Sequence, residues 1–392
     1  MPVPRLIVFL ATVVTLTAAL HYFLWARLVR DTGLSPALRS AGTIFFAAMA
    51  VLLPTSMALS RQLPRAVASP LVWGAMVWLG LVFFLFVLLV PFELARLFSR
   101  WAPSALGSAL PSDPSRRTML ARFVGGLVSV SAFGLGTAGA VAVVRRVGVK
   151  DVRVPLAKLS PKLSGYTIVQ LTDVHVGPTI GRDFIEEVVA AVNALDADMV
   201  VITGDLVDGS VAELEPHVEP LKRLRAKDGV YFVTGNHEYY SGANAWIAHL
   251  ESLGIRVLRN ERVPIRGEHG FDLAGVDDWT AHQFGGEHGM NLEKALSGRD
   301  PDRAVVLLAH QPKAIVEAGA RGVDLQLSGH THGGQLFPFN FLVGLQQPYV
   351  AGLHDHGATK IYVSRGTGYW GPPMRVGAPA EITRIELASV EA

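Results

Sequence analysis

The sequence predicts an α/β layered domain preceded by an all-α membrane region, and three observations carry that expectation. Four apolar runs nearly free of charge crowd the first 150 residues. From about Val152 the texture changes, and short β-rich runs alternate with helical ones. Charge divides with the texture. Residues 1–150 hold 14 Lys/Arg against 3 Asp/Glu, a net of +11, and residues 151–392 hold 21 against 30, a net of −9, which together give the formal +2 of the chain. Two different solvents explain that split better than two similar soluble domains. The basic half is also the apolar half, so no nucleic-acid footprint is indicated. There is no cysteine, which excludes disulfides, thiolate metal ligands and cysteine nucleophiles.

The apolar runs are 6–25, 40–60, 66–92 and 123–144. Each is long enough to cross roughly 30 Å of hydrocarbon as a helix, which takes about 20 residues. A buried soluble helix would show a polar face, and these do not. The second run, with Pro54 and several alanines, is the least regular. A cleaved leader is disfavoured for the first run, because no polar mature start follows it. Arginines bracket the runs as expected of helix ends at lipid headgroups: Arg27, Arg30 and Arg39, then Arg61 and Arg65, then Arg96, Arg100, Arg116 and Arg117, then Arg145 and Arg146. Residues 1–150 are therefore expected to form a multi-pass region in a cell membrane, and 151–392 a separate domain.

Four spans leave both ends of the region on one side. The first and third connections hold eight arginines and the other side about seven basic residues, so the positive-inside rule barely discriminates. The stretch "PSRRTMLARF" decides for an orientation. Arg116 and Arg117 precede a Gly/Ala-rich span in the manner of a twin-arginine export signal, which keeps the arginines in the cytoplasm. The domain beyond is expected to be extracytoplasmic.

In that domain Tyr166–Leu171 reads as a buried strand. Phe184, Ile185, Val188, Val189, Val192 and Leu195 recur at helical spacing over 182–195. Further strands are expected at 199–202, 230–233, 272–275, 304–308, 324–327, 360–363 and 381–386, with helices near 213–224 and 244–253. Alternation of this kind argues for an α/β layered fold, and the strand-rich close argues for a mixed or doubled sheet.

The ends of those strands carry the chemistry. "YTIVQLTDVHVG" delivers Asp173 and His175, "MVVITGDLVD" Asp205 and Asp208, "VYFVTGNHE" Asn236, His237 and Glu238, "VVLLAHQP" His310, and "LQLSGHTHGG" His330 and His332. One Asp-x-His after a strand is ordinarily a satisfied polar pair. Five such strand ends in one domain point to a site, since ligands collect outside strand carboxyl ends in open α/β sheets. The donors are oxygen and imidazole, which suit Mn²⁺, Fe, Zn²⁺ or Mg²⁺. They are too many for one ion. Two ions about 3.5–4 Å apart would use them and would clamp a displacement at phosphorus.

Asp173-x-His175, Gly204-Asp205-x-x-Asp208, Gly235-Asn236-His237-Glu238, His310 and Gly329-His330-x-His332 resemble, in order, the blocks of the calcineurin-like metallophosphoesterase family. "GHTHGGQ" and the late "SRGTGYWGPPMRVGAPAEI" look like its bacterial membrane-attached or exported branch, which includes phosphodiesterase-like and lipid-sugar-nucleotide hydrolase-like members. The resemblance covers the chain from about Ile168 onward and leaves the membrane half uncovered. It implies a layered sandwich of mixed β-sheets flanked by helices. It implies that Asp173, His175 and His332 bind one divalent ion, that Asn236, His310 and His330 bind a second, and that Asp205 bridges them. A hydroxide between the ions would be the nucleophile. His237 would serve the leaving-group oxygen, with Asp208 holding that imidazole. Glu238 would serve the loop rather than a metal.

The function expected is a membrane-anchored dimetal phosphoesterase acting on a phosphodiester or diphosphate bond, with a lipid-linked substrate among the candidates. One alternative is a pyrophosphate hydrolase of a lipid-sugar nucleotide resembling UDP-diacylglucosamine. Another, of a different class, is a non-catalytic sensor of a phospho-ligand, although every core position is filled. Arg365 and Arg375 are read either as a phosphate clamp or as structural ion pairs. The apolar "LFPFNFLVGL" is read either as a core strand or lid, or as a hydrophobic lip that Trp279, Phe284 and Trp370 could join. The remaining histidines, His217, His249, His269, His282, His288, His354 and His356, are read as surface or locally satisfied.

Overall fold

The computed structural model describes residues 3–60, 62–101 and 113–390, with side chains at 3–6, 9 and 99–101 left aside. Arg61 and the side chain of Arg100, both expected at helix flanks, therefore lie outside the description. The chain divides into two compact units, Met1–Val141 with Gly371–Met374, and Ala142–Trp370 with Arg375–Ala392.

The first unit is helical: α1 (Val3–Trp25), α2 (Pro36–Leu59), α3 (Arg65–Trp101) and α4 (Pro114–Val144). All four are long and apolar enough to cross a membrane. Pro54 sits inside α2, and Pro70 and Pro91 inside α3, which neighbouring helices make tolerable in a lipid setting. The helices outrun the apolar stretches. The fourth starts at Pro114 rather than 123, so Arg116 and Arg117 ride on its first turn. A few polar contacts pin the bundle. The Trp78 indole N–H donates to His21 Nε2 at 2.9 Å. Arg27 pairs with Glu93 at 2.6 Å and with Asp31 at 2.6 Å. Arg122 donates to the carbonyls of Thr32 and Gly33 at 2.8 and 2.9 Å. These pairs tie the first connection to the C-terminal half of α3 and to the start of α4.

The second unit is a doubled sheet. One six-stranded sheet runs β1 (Gly148–Leu156), β12 (Glu381–Ser389), β2 (Tyr166–Leu171), β3 (Met199–Ile202), β4 (Val230–Phe232), β5 (Arg256–Val257). The other runs β10 (Gly352–His356), β11 (Thr359–Val363), β9 (Leu325–Ser328), β8 (Val305–Leu308), β7 (Phe271–Gly275), β6 (Glu261–Ile265). Parallel pairs dominate both sheets, and the antiparallel pairs β12/β2, β10/β11 and β6/β7 make them mixed.

Alternation along the strands assigns the layers. Ile168, Met199 and Val201 face inward, and with Val306, Leu308, Leu325, Leu327 and Tyr362 they fill the core between the sheets. Val169, Leu171, Val200 and Ile202 face outward, where α5 (Arg182–Asn193), α6 (Val211–Val218) and α8 (Ala243–Ser252) cover them through Val188, Val192, Leu214 and Trp246. Val305, Leu307, Ile361 and Val363 pack beneath Leu292 and Ile315 on the far side. The result is helix, sheet, sheet, helix.

Some boundaries differ from expectation. The helix near 213–224 stops at Val218 and continues as a 3₁₀ turn, Glu219–Arg223, where Pro220 breaks the ladder. The expected domain boundary at 150/151 falls inside β1. Strands β1, β5, β6 and β10 were not expected at all.

Candidate metal centre

The carboxyl ends of β2, β3 and β4 in one sheet and of β8 and β9 in the other open into five connections that carry every candidate residue. A short helix, α7 (Asn236–Ser241), begins on one of them. The backbone there is unusual. Asp173 (φ 51°), His175 (56°), Asp205 (52°), His330 (71°) and His332 (51°) all adopt the left-handed region. Such conformations cost about 1–3 kcal/mol each outside glycine and persist where surroundings over-determine them.

Here the surroundings are mutual. The Asp173 and His175 amides donate to the carbonyls of Gly204 (3.0 Å) and Asp205 (3.1 Å). The His330 amide donates to both carboxylate oxygens of Asp173 at 2.9 Å, and the His237 amide to Asp205 Oδ1 at 2.9 Å. A Cβ on Gly329 would strike the Asp173 carboxylate, and one on Gly235 the Asp205 carboxylate, so these two positions admit glycine alone.

The side chains gather into three overlapping groups that could hold an ion; one of them, His175 with Asp208 and His237, shares His175 with the first of the two clusters that follow. Asp173, His175 and His332 form the first, with His175 Nε2 3.1 Å from His332 Nε2, which is 3.4 Å from Asp173 Oδ1. Asp205, His310 and His330 form the second, with His310 Nε2 3.1 Å from Asp205 Oδ2 and 3.2 Å from His330 Nδ1. Asp205 Oδ2 is also 3.9 Å from His175 Nε2, which places one carboxylate oxygen between the clusters.

Asn236 precedes His237, whose amide reaches Asp205, and the Asn236 Oδ1 is buried without a hydrogen-bond partner. An orphaned buried acceptor is costly unless something binds it. The donor set is all oxygen and imidazole. On both grounds the residues fit divalent ions.

Outer contacts orient the rings. The His310 Nδ1–H donates to the Thr203 carbonyl at 2.7 Å, which frees Nε2. Asp208 Oδ1 accepts from two imidazoles, His237 Nδ1 at 2.6 Å and His175 Nδ1 at 3.1 Å. Asp208 thus serves a ring of the first cluster as well as His237, a partner that sequence spacing did not disclose. His237 Nε2 lies 4.0 Å from Asp205 Oδ2, at the rim of the cluster pair.

Charge follows geometry. Burial would raise the Asp205 carboxyl, but His310, His237 and His175 hold it well below its ordinary range. Burial and nearby His175 charge lower His332, while Asp205 raises His310 against burial. Burial would also lower His237, yet its bond to Asp208 and the charge of Asp205 push it up to about 9 in the metal-free protein.

Glu238 is fully buried and accepts the amides of Gly235 (2.6 Å), Leu206 (2.8 Å) and Asp205 (2.9 Å), so it braces the loops. Arg375 is no free clamp. Its guanidinium donates to the carbonyls of Gly368 (2.6 and 2.9 Å), Ala378 (2.9 Å) and His332 (3.3 Å). Arg365 pairs with Glu381 at 3.0 Å. Arg365 thus makes a structural ion pair, while Arg375 is spent on backbone carbonyls and makes none among the described residues.

"LFPFNFLVGL" is neither strand nor core. It carries a short helix, Asn340–Val343, and exposes most of its large side chains. Aromatic rings flank His237: Tyr240 at 5.3 Å and Trp370 at 5.9 Å between centroids, with Phe284 5.6 Å from Tyr240. Tyr240 was missed, although it follows His237 by three residues on one helical turn, a spacing that shares a face. His217, His282, His288, His354 and His356 each have a local partner.

Comparison with known proteins agrees with this geometry. The family model described as calcineurin-like phosphoesterase matches residues 166–334. A "transmembrane protein with metallophosphoesterase domain" from Danio rerio is 41% identical over 323 residues, covering 79% of this chain and 71% of that one. The protein of the same description from Bos taurus is 47% identical over 253 residues, 61% of this chain and 56% of that one. An "uncharacterized metallophosphoesterase" of Helicobacter pylori is 40% identical over 276 residues, 70% of this chain and 73% of that one.

Proposed function

The chain belongs to the calcineurin-like metallophosphoesterase family, and from that premise we propose that it is a membrane-anchored, dimetal hydrolase of a phosphodiester or diphosphate bond. The observation that carries this reading is the single oxygen Asp205 Oδ2 between two ligand clusters, with His237 at their rim. Asp173, His175 and His332 would hold one ion, Asn236, His310 and His330 the other, and Asp205 both. Divalent ions bound there would supply charge neutralisation at the phosphoryl oxygens and a more acidic attacking water.

The chain's own groups do the rest. His237 gives its Nε2 proton to the leaving oxygen as the P–O bond breaks, and water delivers the new oxygen to phosphorus. Asp208 fixes the tautomer by accepting the His237 Nδ1–H. Tyr240, Trp370 and Phe284 line the leaving-group side with apolar surface, which favours a substrate with a hydrophobic or ring-bearing leaving group, and a lipid-linked one is the form a membrane protein would meet.

The test is turnover by the full chain in detergent after metal stripping and reloading with Mn²⁺, Fe²⁺, Zn²⁺ or Mg²⁺. Bis(p-nitrophenyl) phosphate, p-nitrophenyl phosphate and a lipid-linked nucleoside diphosphate sugar form the panel. Diester cleavage supports the leading reading, and preference for the diphosphate supports the lipid-sugar-nucleotide alternative. Two bound metals without any turnover would leave the sensor reading standing.

For orientation, Arg116 and Arg117 on the first turn of α4 and the eight arginines of the first and third connections support an extracytoplasmic second unit. A reporter active only after export, fused beyond Glu386, should be active. A dark export reporter with a bright cytoplasmic one would reverse the topology.

A further inference from the structure

The stretch Leu336–Leu345 is the most apolar exposed surface of the second unit. Phe337 is 55% exposed, Phe341 66%, Leu342 56% and Leu345 81%. Four large apolar side chains side by side on one loop form a patch, which an isolated exposed leucine does not. No Asp, Glu, Lys or Arg occurs between Asp324 and Asp355.

The loop's root is fixed. The Thr331 hydroxyl donates to the Val350 carbonyl at 2.6 Å, closing the loop on the turn that carries His330 and His332. The Phe337 amide donates to the Val376 carbonyl at 2.9 Å. The Gln335 side chain brackets the Trp370 backbone, accepting its N–H at 3.0 Å and donating to its carbonyl at 2.9 Å. A rigid root with an apolar, uncharged tip is the shape of a wedge, and a chain with four bilayer-length helices is never far from an apolar phase.

We propose that Phe337, Phe341, Leu342 and Leu345 insert into the headgroup–acyl boundary of the bilayer in which the chain is anchored, and so hold the His330–His332 turn at the lipid surface. Phenylalanine and leucine partition into that boundary by apolar area. The loop carries no charge, so its own contribution to the contact does not depend on lipid charge or salt. That matters in a half with a net charge of −9, which an anionic headgroup layer repels. Tethering by the helices raises the local concentration of bilayer seen by the loop, so a small wedge suffices. The placement of the loop stands apart from the catalytic reading. Its kinetic consequence, preference for a phosphoester embedded in lipid, rests on that reading.

The native sequence has no cysteine, so a single probe can be introduced. Full-length protein carrying Leu342→Cys with an environment-sensitive fluorophore is reconstituted in phosphatidylcholine vesicles, with and without phosphatidylglycerol. Val316→Cys, at a 63% exposed helix position of the same unit, is the control. The Leu342 probe should be quenched by spin-labelled lipid, shielded from iodide, and no more deeply inserted in anionic lipid than in phosphatidylcholine, with the Val316 probe showing the reverse pattern of quenching. Iodide access equal to that of Val316 overturns the proposal. So does shielding from both quenchers, which would mean a protein, such as a second copy, covers the loop.

A second arm uses the triple variant Phe341→Ser, Leu342→Ser, Leu345→Ser, whose exposed positions spare the fold. Turnover of a vesicle-embedded phosphodiester should fall by at least roughly tenfold, as when a tether-assisted contact is lost, while bis(p-nitrophenyl) phosphate is cleaved as before. Equal turnover of both substrates by variant and parent refutes the kinetic consequence. No turnover by the parent faults the phosphoesterase reading and leaves the quenching result to decide the insertion.

Discussion

The two halves of the candidate metal centre match in composition and differ in what aims them. Each cluster pairs a carboxylate with two imidazoles, and in each one imidazole is held towards the charged form and one towards the neutral: His175 and His332 in the first, His310 and His330 in the second. The second cluster takes its orientation from backbone, the Thr203 carbonyl on His310 Nδ1. The first takes it from an ionised side chain, Asp208 on His175 Nδ1, with the Arg375 guanidinium 3.3 Å from His332 Nδ1. A carbonyl is fixed by the fold, whereas a carboxylate can be replaced. The first cluster is therefore the one whose metal affinity a single outer substitution can tune, and its tuning group also serves His237.

The largest effect should come from erasing the distinction. Asp205→Ala removes the oxygen between the clusters, so metal analysis should find both ions largely lost and turnover abolished. Retention of one full equivalent would show that Asp205 serves a single cluster.

His237→Ala should leave both clusters loaded yet cost about 10²–10⁴-fold in turnover, the usual range for proton donation, with the steepest loss for poor leaving groups. Equal metal loss in the two variants would make His237 a ligand instead.

Asp208→Asn should separate the clusters. Loss of an outer partner commonly costs about 10–100-fold in metal affinity, and here only the first cluster should feel it. Metal titration should turn from one phase into two, and a uniform weakening would contradict the assignment.

The smallest effect should report the likeness. His175 and His310 hold their protons above the ordinary histidine range, so at neutral pH each ion must displace roughly one proton. Calorimetry in buffers of different ionisation enthalpy should find release from both clusters at neutral pH, declining only as the pH rises through the raised pKa values of these two histidines.

The sequence disclosed the middle of each sheet and hid its margins. The residues of β2 and β3 are those expected from their apolar runs, and the ligand-bearing connections were found because both faces of those strands are buried. The four unexpected strands are the four sheet edges. Each lacks the signal for a physical reason. β5 is two residues long, β6 ("ERVPI") contains Pro264, β10 ("GLHDH") is largely polar, and β1 begins with exposed residues beside Arg145 and Arg146. Edges are shortened, charged or given proline because a long apolar edge would recruit other chains. Contacts that aim the rings, such as the Thr203 carbonyl, carry no side-chain letter at all and could not be read.

Strand β12 lies between β1 and β2, pairing parallel with one and antiparallel with the other. That position imposes an order on biosynthesis. β2 to β5 leave the ribosome about 120 residues before β12, so during translation the first sheet exists with its N-terminal strand detached. The gap beside β2 is a transient, apolar, hydrogen-bond-hungry slot, open while the four helices are already being handed to the membrane. A ribosome stalled before Glu381 should hold a nascent chain in which the β2 amides that face β12 exchange freely and a chaperone has an obvious place to bind, whereas one stalled on a long linker added after Ala392 should protect them.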